Sequence, residues 1–209
     1  MSVRDWHGWH QAYDDPASPL SRRLALVQGC IRAAFDHCAP GPIRAVSVCA
    51  GQGRDLLGVL AEHPRSADVR ARLVELDPRN VAVGRSAAAG LPGVEVVLGD
   101  AAVTDAYADA VPADIVLLCG IFGNLRDADI ERTIHLAPQL CAPGGTVVWT
   151  RHTRAPDVTP SVRGWFADAG FEELSFDARS DSAASVGAHR YVGSPVPLVP
   201  GTRFFTFTS

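Results

Sequence analysis

Groups suited to binding an adenosine cofactor follow three apolar segments of the chain. The loop 50–53, Ala-Gly-Gln-Gly, ends the first segment, and its glycines let the backbone approach a ligand closely. Glu75 ends the second segment, roughly twenty residues later, where an acid in an open α/β sheet binds a ribose. Asp100 follows the third segment and is placed to accept a hydrogen bond from an adenine amino group. These positions predict a nucleotide site beyond the carboxyl ends of the strands.

Short apolar segments alternate with helical patterns along the chain, which predicts parallel βαβ units. Six strands are predicted at 45–49, 71–76, 94–98, 113–119, 146–150 and 171–176, and a seventh at 203–208. Helices are predicted at 55–63, 80–89, 127–140 and 159–169. Residues 178–201 leave no room for a crossover helix, so the last strand is predicted to be antiparallel. The predicted fold class is α/β: a doubly wound, mostly parallel seven-stranded sheet flanked by helices, with a helical N-terminal cap.

The length of 209 residues favours a single domain, 1–209, made of a cap segment, 1–40, and a Rossmann-like core, 41–209. In the cap, Ser18 is predicted to cap a helix that has Pro19 at its first position. The net charge of -4 indicates neither a nucleic-acid nor a membrane partner and favours a small-molecule substrate. The first residues lack the apolar stretch of a signal peptide, so a cytoplasmic location is expected. The sequence gives no indication of an oligomeric state.

Cysteine and lysine usage excludes several kinds of site. The five cysteines form no CxxC pair, so no metal site is predicted and the thiols are expected to be reduced and structural. All 19 basic residues are arginine, which excludes Schiff-base chemistry and a P-loop, since both need a lysine amine. Leu56 stands where a dinucleotide-binding loop needs a small residue, which argues against NAD or FAD.

With the glycine loop and the two acids, the chain resembles the class I S-adenosylmethionine-dependent methyltransferases over roughly residues 40–209. The segments 143–145, Pro-Gly-Gly, and 169–171, Ala-Gly-Phe, are also typical of that family. The resemblance implies S-adenosyl-L-methionine as cofactor and methyl transfer to an oxygen, nitrogen or carbon nucleophile of a small molecule. It implies that the cofactor is bound by Cys49, Ala50, Gly51, Gly53, Glu75, Leu76, Asp100, Ala101, Cys119 and Gly120.

By the same resemblance, the two loop glycines face the methionine part of the cofactor, and Glu75 binds the ribose hydroxyls. Leu76 packs on the adenine, Asp100 accepts from its amino group, and residues 119–121 lie under the sulfonium. The sequence departs from the family at two positions, since Ser47 replaces a usual acid and Cys49 replaces a usual glycine.

Aromatic and polar residues outside the loop are candidates for the acceptor side of the site. His152, after the fifth predicted strand, and His189, which lies with Arg190 in the loop before the last predicted strand, are the candidate general bases. A surface position is the more common role for each histidine. The predicted lid and substrate contacts are Trp6, His10, Tyr13, Phe122, Asn124 and Arg190. The N-terminal aromatic cluster fits either a lid over the site or a segment docked on the core.

Three other functions remain open from the sequence. A non-catalytic S-adenosylmethionine-binding module would use the same loop without an acceptor pocket. An NAD(P)-dependent oxidoreductase would use the same sheet, and a related transferase would move a different group from a similar sulfonium.

Overall fold

The N-terminal segment precedes the sheet as two short helical turns and one long helix. The computed structural model describes residues 5–179 and 184–208, and for Trp6, His7 and Arg179 it describes the main chain only. Helix α1 (Trp6–Trp9) runs into a 3-10 turn (His10–Asp14), and α2 follows (Pro19–His37). The predicted capping of α2 by Ser18 is confirmed, because the Ser18 hydroxyl accepts a hydrogen bond of 3.0 Å from the amide of Ser21.

A seven-stranded sheet forms the centre of the molecule, in the order β3-β2-β1-β4-β5-β7-β6. The strands are β1 (Ile43–Val48), β2 (Val69–Glu75), β3 (Val94–Leu98), β4 (Ala113–Leu118), β5 (Cys141–His152), β6 (Phe171–Arg179) and β7 (Ala184–Tyr191). Every neighbouring pair from β3 to β5 is parallel, and β7 lies antiparallel to both β5 and β6. The predicted fold class, including an antiparallel last strand, is confirmed.

The position of the seventh strand was predicted wrongly. The strand lies at Ala184–Tyr191, within the stretch that was predicted to be a loop, and its pattern is obscured by Gly187. A side chain at that glycine would meet the Trp149 ring at 2.4 Å, so packing requires the residue that weakens the strand signal. Residues 203–208 instead form an extended segment outside the sheet, and Arg203 forms an isolated antiparallel bridge with Val103 in the turn after β3.

Helices cover both faces of the sheet and divide the core in two. The remaining helices are α3 (Arg54–Leu60), α4 (Pro78–Ala87), α5 (Asp127–Leu136) and α6 (Thr159–Asp168). Helices α2, α3 and α4 bury their apolar residues on one face. Helices α5 and α6 pack on the other face together with Phe204 and Phe205 of the C-terminal segment. Within the described ranges, no helix has the length and apolar character needed to cross a bilayer.

Candidate functional site

The loop after β1 turns sharply through three residues with positive φ. The φ angles are 54° at Cys49, 57° at Gly51 and 70° at Gly53. A side chain at Gly53 would meet Leu73 at 2.7 Å, so the loop packs closely on β2. Cys49 adopts the left-handed conformation at a cost of about 1–2 kcal/mol, because its Cβ crowds the following carbonyl. The backbone therefore has the shape of a glycine loop even at the position where cysteine replaces glycine.

Glu75 links the loops after β1 and β2. Its carboxylate accepts hydrogen bonds of 2.8 Å from the amide of Gly51 and 2.8 Å from the amide of Asp77. The side chain is buried, and these two charge-assisted bonds compensate the loss of water. Asp77 caps α4 by accepting from the amide of Arg79. Leu76, between the two acids, keeps 66% of its surface exposed at the edge of the sheet.

Asp100 lies after β3 and is held by the C-terminal strap, which we define as residues 202–208. One carboxylate oxygen accepts from the amide of Ala102 at 2.9 Å, and the other accepts from Arg203 at 2.9 Å. Ala101, beside it, is buried, and its carbonyl accepts from the hydroxyl of Tyr107. No local pattern indicates the contact of Asp100 with Arg203, since the two residues are 103 positions apart.

Beyond β4, the turn at Gly120 is fixed by three side chains. The Gly120 amide donates to the hydroxyl of Thr150 at 2.7 Å, and its carbonyl accepts from Asn124 at 3.0 Å. The Asn124 carbonyl in turn accepts from the amide and hydroxyl of Thr208, at 3.0 and 2.9 Å. No heavy atom of the described chain lies within 4 Å of the position that a Cβ on Gly120 would take. The backbone after β4 therefore borders open space at the carboxyl edge, next to the half-buried Cys119.

The N-terminal segment lies directly on the glycine loop. A Cβ on Gly51 would come within 2.4 Å of the His10 ring, which shows that the ring rests on that glycine. Asp14 forms an ion pair of 2.8 Å with Arg54, at the start of α3. The Tyr13 hydroxyl accepts from Arg23 at 3.0 Å, and burial raises the pKa of the tyrosine. The predicted contacts His10 and Tyr13 thus lie at the site, whereas the side chain of Trp6 lies outside the described residues.

Burial also raises the pKa of several acidic groups under this segment. The Asp55 carboxyl has a raised pKa because of burial, and one of its oxygens accepts from the amide of Leu56. The thiols of Cys49 and Cys119 also have raised pKa values, first because of burial and then because of neighbouring carboxylates. Both cysteines are therefore neutral thiols at physiological pH, not nucleophiles.

The two candidate bases occupy very different places. His152 ends β5 at the carboxyl edge, where its ring lies 3.6 Å from the position of a Cβ on Gly123. Its pKa is lowered by burial and by the charges of Arg151 and Arg154. His152 is therefore neutral near pH 7, as a general base must be.

His189 does not lie in a loop near the site, contrary to prediction. It pairs with Val147 in the middle of β5, is 1% exposed and accepts from the indole of Trp149 at 3.1 Å. Arg190, predicted in the same loop, pairs with Thr146 still farther from the carboxyl edge. Both residues belong to β7, so the structure gives neither of them access to the predicted site.

Phe122 also departs from its predicted place in the acceptor pocket. It is fully buried and packs against Trp149, with ring centroids 6.0 Å apart. Asn124 is half-buried at the carboxyl edge, where its side-chain amide donates to the carbonyl of Gly120.

Two clefts lie at the opposite edge of the sheet. One is lined by Arg44, Arg70, Arg72 and Glu95, near the amino ends of β1, β2 and β3, and the other lies beside it at Gly41, Pro42 and Asp68. At the carboxyl edge, the N-terminal segment covers part of the glycine loop, where the His10 ring rests on Gly51.

Comparison with known proteins finds structures of similar fold but no similar sequence family. No protein-family profile and no curated protein sequence matches the chain. Among solved structures, the CurJ carbon methyltransferase is similar with a TM-score of 0.66 and 15% identity, over 81% of this chain and 54% of that one. The present chain thus spans just over half the length of that structure.

Two further structures are similar over more of their own length. The 1,6-didemethyltoxoflavin-N1-methyltransferase from Burkholderia thailandensis, solved with S-adenosylhomocysteine, has a TM-score of 0.65 and 15% identity, over 90% of this chain and 84% of that one. The N-methyltransferase NodS from Bradyrhizobium japonicum WM9 has a TM-score of 0.62 and 14% identity, over 85% and 99%. These likenesses agree with the topology described above, and the chain has the fold of the class I S-adenosylmethionine-dependent methyltransferases.

Proposed function

We propose that this protein binds S-adenosyl-L-methionine and transfers its methyl group to an oxygen, nitrogen or carbon nucleophile of a small molecule. The observation that carries the proposal is the loop after β1, whose left-handed backbone is tied to Glu75 at the carboxyl edge of the parallel strands. In open α/β sheets, ligands bind outside that edge at the point where the strand order reverses, which here is between β1 and β4.

The residues present fit the parts of this cofactor. Gly51 and Gly53 supply the left-handed backbone of a turn suited to the methionine part of the cofactor, and Glu75 supplies a carboxylate suited to ribose hydroxyls. Leu76 offers exposed apolar surface for an adenine ring, and Asp100 offers an acceptor for the adenine amino group. When bound, the cofactor supplies a methyl group on a sulfonium, which an acceptor nucleophile can displace.

The chain's own residues then orient the reactants and handle the acceptor proton. Holding two reacting centres in line supplies much of the rate of such a displacement. We assign His152 as the candidate base, because it is neutral near pH 7 and ends β5 at the same edge as the glycine loop. An acceptor that is already an anion or a free amine needs no base.

The N-terminal segment acts in this proposal as a lid. His10 rests on Gly51, and Asp14 holds the segment to Arg54, so the cofactor reaches the loop when this segment moves. After closure, the aromatic residues exclude water from the site. The rival interpretation, a segment docked permanently on the core, predicts that Arg54→Gln changes stability but not the rate of cofactor binding.

Thermal unfolding with S-adenosylmethionine, S-adenosylhomocysteine and NAD tests the cofactor. A ligand at ~100 times its Kd adds about 2.7 kcal/mol, which raises the midpoint of a domain this size by roughly 5–10 °C. We expect that rise with the two sulfur compounds and none with NAD. A rise with NAD alone would favour an oxidoreductase, and no rise with any of them would refute the proposal.

Product analysis then separates an enzyme from a binding module. Turnover of labelled cofactor with a library of small acceptors should give S-adenosylhomocysteine and a methylated product. Binding without turnover would favour the non-catalytic module, and a different transferred group would favour the related transferase. The proposal also includes a cytoplasmic location and a small-molecule partner, in keeping with the net charge of -4.

A further inference from the structure

Two neighbouring residues at the carboxyl end of β5 each hold a buried polar atom without a partner. Arg151 Nε and His152 Nδ1 are closed off from solvent and form no hydrogen bond within the described part of the chain. Both residues are half-buried, so each keeps part of its surface open. Buried polar groups in folded proteins are nearly always hydrogen-bonded, and exceptions often mark a functional site.

The two side chains converge on one place, the turn after β4. A Cβ on Gly123 would lie 3.6 Å from His152 Cδ2 and 3.9 Å from Arg151 Nη1. Arg151 also donates from Nη1 to the carbonyl of Phe122 at 2.7 Å, which fixes its guanidinium against that turn. Gly123 itself is exposed, so this place faces solvent at the edge where the glycine loop lies.

Among the described residues, no ion pair joins a carboxylate to the positive charge at this place. Arg154 follows closely and is exposed. Asp127 and Asp157 are the acids that act electrostatically on Arg151, yet neither is among the ion pairs of the described residues. Asp157 is already engaged, because it accepts from the amide of Thr159 at the start of α6.

We propose that Arg151, His152 and Arg154 form a subsite for a carboxylate group of the methyl acceptor. A guanidinium and a carboxylate form charge-assisted hydrogen bonds that are stronger than neutral ones. Here the side chains of Arg151 and His152 lie beside Gly123 at the carboxyl end of β5, the edge that the acceptor must approach. The assignment of this carboxylate to the methyl acceptor rests on the proposed function. The carboxylate subsite itself does not, and it is tested without turnover.

Benzoate and its neutral counterpart benzamide are suitable probes. Binding of benzoate beside the two arginines should offset their charge and raise the pKa of His152 by about one pH unit. The pKa is measured from the imidazole signals of the histidines in an NMR titration, and His152→Gln assigns the signal. Benzamide, which carries no charge, should leave the pKa of His152 unchanged.

Variants locate the bound anion. Arg154→Gln should weaken benzoate binding about fivefold, as expected for one exposed charge, and Arg151→Gln should weaken it about tenfold or more. Arg132→Gln on α5 is the control, since Arg132 is exposed and forms no hydrogen bond or ion pair among the described residues. Because Arg151→Gln also removes the contact to Phe122, Arg154→Gln provides the test that is independent of folding.

The inference is overturned if benzamide binds as tightly as benzoate, if the pKa of His152 stays unchanged, or if Arg154→Gln and Arg132→Gln have the same effect. The thermal shift with S-adenosylhomocysteine is measured on the same samples. If S-adenosylhomocysteine gave no thermal shift while benzoate still bound, the proposed function would be refuted and the carboxylate subsite would stand.

Discussion

The parallel and antiparallel halves of the sheet each bury an ionisable side chain, and the two differ in how they are paired. Glu75 in the parallel half accepts from two backbone amides, both at 2.8 Å. His189 in the antiparallel half accepts from Trp149 at 3.1 Å, while its Nε2 lies 3.6 Å from Glu173 without a hydrogen bond. Burial lowers the pKa of His189 to about 4, opposed by Glu173 and reinforced by Arg163.

This difference in hydrogen bonding follows from where each residue lies along its strand. Glu75 ends its strand, where the loops after β1 and β2 converge. His189 lies in mid-strand between Trp149 and Phe166, stacked on the latter with centroids 4.5 Å apart. One group is organised by backbone donors at the carboxyl edge of the sheet, and the other is a packed core residue whose charged form is excluded.

The largest expected effect comes from removing the carboxylate that links two loops. Glu75→Ala should lower the free energy of unfolding by about 3–5 kcal/mol, because two buried amides lose charge-assisted partners. Urea unfolding measures this loss, and Glu172→Ala, at an exposed site on β6, is the matched control in the other half. Equal losses in the two variants would show that Glu75 does not hold the loops together.

The antiparallel half should show a dependence of stability on pH. The pKa of His189 is lower in the folded state than the ordinary value of 6.5, so the unfolded chain binds the proton more tightly. The free energy of unfolding should therefore fall by roughly 3 kcal/mol as the pH falls from 6.5 to 4.

His189→Gln isolates that dependence, because glutamine keeps an acceptor for Trp149 and cannot titrate. Subtracting the pH profile of this variant's unfolding free energy from that of the original chain removes the contribution of the carboxylates, which both proteins share. His135→Gln, at an exposed position on α5, should retain the full dependence. A pH profile identical in the original chain and His189→Gln would assign the effect to other groups.

A smaller effect is expected at Cys49, where the loop has a positive φ. Alanine is normally more stable than glycine, but a Cβ in this conformation is strained. Cys49→Gly should therefore be more stable than Cys49→Ala by about 1 kcal/mol. Thermal or urea unfolding of the two variants measures this difference in stability. If the alanine variant were the more stable, the loop would have to relax around the side chain at position 49.

The smallest effect on stability is expected at Leu76. Because 66% of this side chain is exposed, Leu76→Ala should leave the free energy of unfolding within about 0.5 kcal/mol of the original. Its affinity for S-adenosylhomocysteine should fall about three- to fivefold through lost contact area, as calorimetry would measure. Leu174→Ala, an exposed leucine on β6, should change neither quantity, and equal affinity in both variants would remove Leu76 from the site.

Local patterns along the chain sufficed for most of the fold. The strands from 43 to 179 follow from short apolar segments separated by helical or turn patterns, and Ser18 and Pro19 marked the start of α2 correctly. The last strand was predicted at the wrong position because Gly187 weakens its local pattern. A glycine is needed there because any side chain would collide with Trp149 on the neighbouring strand. The alternating pattern at 203–208 looks like a strand, but its backbone bonds go to separate partners, Ala102 and Asn124.

The site was predictable where it depends on backbone turns and not where it depends on distant contacts. The glycine loop and Glu75 lie together as their spacing predicts. Arg203 and Thr208 were missed, since nothing local indicates that they contact Asp100 and Asn124. His189 was misassigned for the same reason, because its distance from the edge follows only from strand register.

The C-terminal strap has a consequence for synthesis of the protein. Chains fold as they emerge from the ribosome, with N-terminal parts first. The loops after β3 and β4 receive Arg203 and Thr208 only when residue 208 has left the exit tunnel. The glycine loop and Glu75 can therefore assemble on a nascent chain well before the far wall of the site, so full ligand affinity should be acquired only after most of the core is buried.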